Sequence, residues 1–80
     1  MRFEIYKIVF PEGDSQEIQH RLRMNQMVDI NGNPLPLPLP SIKMIVYRVY
    51  KISTNSNINE DITNYHLEQM KVYELEEFVR

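Results

Sequence analysis

Between residues 34 and 40 proline and leucine alternate: Pro34, Pro36, Pro38 and Pro40 enclose Leu35, Leu37 and Leu39. Each proline fixes its φ near about −65° and removes a backbone donor. Each leucine precedes a proline and is driven to extended geometry. The segment can therefore be neither helix nor central strand, and an extended, semi-rigid strap is expected. Alternate residues of an extended chain face the same way, so Leu35, Leu37 and Leu39 form one apolar ridge with the prolines opposite. Such a ridge has two uses. It closes a thin core by lying across the open side of a sheet, or it docks on a partner or a second copy of the chain. A stiff strap has less ordering to lose on docking. The prolines are never three apart and no arginine flanks them, so the register is not that of a PxxP ligand.

The remainder of the chain reads mainly as strand. Residues 2–10 are rich in β-branched and aromatic types, and Pro11, Gly13 and Asp14 supply a turn. Over 16–30 the apolar residues Ile18, Leu22, Met24, Val28 and Ile30 are all even-numbered, while Glu17, Gln19, Arg21, Arg23, Asn25 and Asp29 are odd. That alternation predicts one long strand, bulged or broken near Asn25 and Gln26. Asn31, Gly32, Asn33 and Pro34 form a turn signal. Residues 42–52 carry apolar side chains on both faces and are expected to be a central or doubly covered strand beside the strap. Residues 53–61 read as a polar, mobile loop. Residues 62–79 tolerate helix, but their apolar members do not gather on one side of a helical wheel. Strands over 64–69 and 71–79 fit better. The expected fold is an all-β single domain, 1–80, with four to five strands in an antiparallel sheet or small barrel. It becomes β-rich α+β if 62–79 is helical.

A chain of 80 residues buries only about 60% of its unfolded surface, so its core is thin. Small folds compensate with disulfides, a metal or oligomerisation. No cysteine is present, which removes disulfides and Cys-based zinc sites. His20 and His66 are far apart in the chain, a poor start for a metal cage. No metal or cofactor is expected, and self-association is the remaining compensation. The opening residues alternate like a strand and lack the basic and apolar regions of a secretory leader. No apolar run approaches the ~20 residues that cross a bilayer. A cytoplasmic setting without membrane contact is expected.

Catalytic chemistry has little to stand on. Gly13 and Gly32 are isolated in turns, so a glycine-rich phosphate loop is implausible. No Gly-x-Ser-x-Gly elbow occurs. Glu74, Glu76 and Glu77 read as a solvated acidic face, because no enclosing apolar pocket is indicated to separate their acidities. A non-enzymatic protein is expected.

Charge is uneven although the net is only −2. Residues 1–51 hold seven Lys/Arg against five Asp/Glu, and residues 60–80 hold two against six. Basic and acidic strands pairing within the fold account for this. An acidic edge of Glu68, Glu74 and Glu76 facing a basic partner is the functional version. Arg21, Arg23, Arg48 and Lys51, with Tyr47 or Tyr50, form a candidate surface for single-stranded nucleic acid. However, Tyr47 and Arg48 alternate to opposite faces, which spoils a stacking platform. The sequence thus predicts a protein-interaction module, self-associating or acting as an accessory or inhibitor protein of phage or mobile-element type. Its surface is the Leu35, Leu37 and Leu39 ridge, the acidic edge of Glu68, Glu74 and Glu76, or both. A nucleic-acid-binding β-domain and a structural subunit of a larger assembly are the alternatives.

Overall fold

Phe3, Ile5, Tyr6, Ile8 and Val9 favour extended backbone. The computed structural model, which describes residues 2–79, places them in β1 (Phe3–Val9). A turn closed by the Phe10 N–H donating to Asp14 and the Gly13 N–H donating to Phe10 returns the chain as β2 (Ser15–Ile18). Then come β3 (Met27–Val28), β4 (Tyr47–Ser56), β5 (Glu60–Gln69), a one-turn helix α1 (Val72–Leu75) and a 3-10 turn over Glu76–Phe78. The five strands lie in the order β2-β1-β5-β4-β3 and curl into a half-barrel. The domain is β-rich, as expected.

The sheet is mixed rather than wholly antiparallel. β1 pairs with β5 in parallel, with Ile8 beside Tyr65, while the other pairings are antiparallel. β4 and β5 form a hairpin, so β5 returns with its far edge free and meets β1 running the same way. A parallel neighbour needs a long crossover, and everything between β1 and β5 serves as one. Hydrophobic alternation fixes which face a residue takes but not the direction of its neighbour.

Inside the curl, Ile8, Ile18, Leu22, Val28, Tyr47, Val49, Tyr65 and Leu67 form one buried cluster, with Tyr6 and Phe10 packed against it. A second cluster of Met27, Leu39, Val46, Met70 and Leu75 lies under the strap and the C-terminal turn. Phe10 meets Tyr47 edge to face at 5.3 Å. Gly32 sits at φ +81°, and a Cβ there would come within 3.0 Å of Ile18 and 3.1 Å of Ile8. The Asn-Gly turn is thus pressed against the core, and glycine is needed for both conformation and space.

Four expectations are corrected. The strand foreseen over 16–30 survives only at its ends, as β2 and β3. Between them the Gln26 N–H donates to Arg23 O in a tight turn, and Asn25 takes a φ of 66°, which asparagine tolerates. Ile18, Leu22 and Val28 still point inward, but Met24 and Ile30 do not. Residues 42–46 are not strand; pairing begins at Tyr47. The strap consequently lies beside β3 and the C-terminal turn, not beside a strand over 42–52. The supposed loop over 53–61 is paired ribbon up to Ser56, reversed at a turn and continued from Glu60. The Asn57 side-chain oxygen accepts the N–H groups of Asn59 and Glu60, tightening that turn. Of the strand expected over 71–79, residues 72–78 are helical instead. Glu74 accepts the Lys71 N–H, a reach-back bond typical of helix starts, and Leu75 is the fully buried side chain of α1. One buried position in one turn leaves no periodicity for a wheel to detect.

Candidate docking surface

The strap is tied at both ends. The Leu35 N–H donates to Met27 O at 3.0 Å, and the Leu39 N–H donates to Phe78 O at 2.6 Å. Bridges from Val28 to Pro34 and from Leu39 to Val79 mark the same two ends. Leu39 is 1% exposed in the second core cluster, Leu35 is half-buried beside it, and Leu37 is 55% exposed. The three leucines are therefore not one ridge, which corrects the alternation argument. The strap is fastened to β3 at one end and to the C-terminal turn at the other, and its middle residue spans the gap and faces solvent.

Met24 stands beside it. The turn over residues 23–26 is held by the Gln26 N–H donating to Arg23 O and by the Arg23 N–H donating to the Gln26 side chain. This turn lifts Met24 out of the core to 50% exposure. Arg23, Met24, Asn25, Gln26, Met27, Leu35 and Leu37 line one open groove of about 380 Å³. Sequence alternation assigned Met24 to the apolar interior; the usable signal was the asparagine after it, the residue that most readily accepts a left-handed turn.

The acidic candidates separate. Arg48 Nε donates to Glu68 Oε1 at 3.1 Å, a terminal nitrogen approaches the same oxygen at 2.5 Å, and Glu74 Oε2 lies 3.4 Å away. The hydrogen bond to Glu68 holds the Arg48 pKa above its ordinary value, against partial burial. Glu68 and Glu74 are thus occupied internally, while Glu76 stays exposed on the 3-10 turn. The pairing of basic and acidic segments foreseen from the charge distribution occurs here. It also ties Arg2 to Asp61, whereas Arg21 and Glu4 pair within the basic segment.

The basic candidates do not converge either. Tyr47 is buried and Arg48 is paired. Arg21 lies 5.7 Å over the Tyr6 ring, and its Nε donates to the Tyr6 hydroxyl. Arg23 lines the groove beside the strap. Tyr50 is half exposed, its ring 6.3 Å from that of His66, and Lys51 follows it on the exposed ribbon. His66 bonds Ser53 at 2.8 Å and His20 bonds the Gly32 carbonyl at 2.9 Å. Among the described residues no cluster of three or more His, Asp or Glu is placed to hold a metal ion. Among the same described residues no helix is long and apolar enough to cross a membrane.

Residues 2–78 match a protein family described as "Uncharacterised Treponema protein". The chain belongs to that family. No curated protein and no solved structure matches it.

Proposed function

We propose that this chain is a non-enzymatic, cytoplasmic protein-interaction module that receives an apolar segment of a partner protein in the groove between Leu37 and Met24. One observation carries this reading: the strap is anchored by Leu39 in the core and holds Leu37 outward beside an equally exposed Met24. Stranding a large apolar side chain in water on an already stiff strap gains nothing for the fold. In an interface it supplies an anchor with little ordering cost. Arg23 at the rim suits a partner with a carboxylate beside its apolar residue. Such a module fits an accessory or inhibitor protein.

The test is photo-crosslinking in the source cell with a reactive group at residue 37, compared with one at Leu39. A discrete adduct at position 37, lost when Met24→Asp is added, supports the reading. Equal labelling from both positions, or none from either, contradicts it.

A further inference from the structure

The outer edge of β4 is open along its second half. β3 covers only its beginning: Met27 pairs with Arg48, Val28 with Tyr47, and Val49 bonds Asn25 and Gln26. A bulge follows at Tyr50. The Asn57 N–H donates to Glu60 O at the hairpin end while the Glu60 N–H turns to the Asn57 side chain, so these two residues occupy a hydrogen-bonded position of the ladder, closed by one backbone bond. Hydrogen-bonded and non-bonded pairs alternate along an antiparallel ladder. The register then makes Asn55–Ile62 and Ser53–Asn64 bonded pairs, and leaves Ile52, Thr54 and Ser56 with their N–H and C=O groups directed away from β5. Exposed edges are normally blunted with charge, proline or a bulge. From Ile52 to Ser56 there is none of these.

We infer that this edge pairs with the same edge of a second copy, antiparallel about a two-fold axis at Thr54, joining two half-barrels into one continuous sheet. Three features single out a second copy. With Thr54 opposite Thr54, Ile52 falls opposite Ser56 on both sides of the axis, so every outward N–H and C=O of these three residues finds a partner. Displacing the register by two leaves Ser56 unmatched in one direction and Ile52 unmatched in the other. The side chains agree: Thr faces Thr, a favourable cross-strand pair, and no like charges meet. Lys51, which makes no ion pair among the described residues, comes opposite the partner's Asn57. The partner's Glu60 is then one strand further on, about 10 Å away at the backbone and on the same face, within reach of the lysine. The two-fold supplies this pair twice. The edge is short and largely polar, so the dimer is weak and concentration-dependent. It is separate from the groove at Leu37.

Sedimentation velocity on the full chain over a wide concentration range tests this. The wild type moves from monomer to dimer. Thr54→Lys sets two cations across the axis and weakens association by roughly tenfold or more. Thr54→Pro removes an outward donor, does not interrupt the β4–β5 ladder, and has the same effect. Both keep the wild-type circular dichroism spectrum. Lys51→Glu weakens the dimer and adding Glu60→Lys restores it, whereas Leu37→Asp leaves it intact. A wild type that is monomeric throughout, or a dimer indifferent to both Thr54 variants or broken by Leu37→Asp, overturns the inference.

Discussion

Arg48 and Glu68 join β4 to β5 across the strand pair, and the same guanidinium reaches Glu74 on α1. The short C-terminal helix therefore has a polar tether to the sheet besides the burial of Leu75. The guanidinium is about a third exposed, so solvent screens the pair. Arg48→Ala is expected to cost only about 1 kcal/mol in global stability. Its larger effect is local. Hydrogen exchange of the Glu74 and Leu75 amides should speed up well before that of β5. Uniform acceleration across the sheet would show that the tether is not specific to the helix.

Gly32 combines a positive φ with contact distances of 3.0–3.1 Å to Ile18 and Ile8. Gly32→Ala is expected to destabilise the fold by about 1–3 kcal/mol, from left-handed strain and overpacking together. Gly13 also has positive φ, but nothing lies within 4 Å of a Cβ there. Gly13→Ala should carry only the conformational part. Urea unfolding of the two variants, side by side, checks the ranking.

The Asp61 carboxyl is held down at about 2, first by the hydrogen bond from Arg2 and then by the Ser56 hydroxyl. Its folded pKa lies below its unfolded one. The associated stability is therefore complete above about pH 4 and is lost as pH falls toward the folded value. Unfolding midpoints followed down through that window should decline, and Asp61→Asn should flatten part of the decline. An unchanged slope in the variant would place the acid sensitivity elsewhere.

The strand pattern was legible where side-chain alternation and backbone pairing coincide, as in β1. They part company between β2 and β3. There Leu22 points inward from irregular chain, while Met24, assigned by parity to the same interior, is turned outward by Asn25. Parity also could not reveal that β5 runs parallel to β1, because direction leaves no trace in alternation. The polar run Ser53, Thr54, Asn55 and Ser56 resembled a loop, since neither face of that ribbon is deeply buried. The strap, foreseen as extended, bends at Leu37 and Pro38 between its two tethers. What it does with each leucine depends on the tethers to Met27 and Phe78, which belong to distant parts of the chain.

The proposed division of roles makes Leu39 the anchor of the strap in the core and Leu37 the side chain offered to a partner. Equilibrium urea unfolding of Leu37→Asp and Leu39→Ala tests it most directly. Leu37→Asp should unfold at the wild-type midpoint, whereas Leu39→Ala should lose about 2–5 kcal/mol. Loss of the fold in Leu37→Asp would show that this side chain belongs to the core and would remove the proposed docking surface.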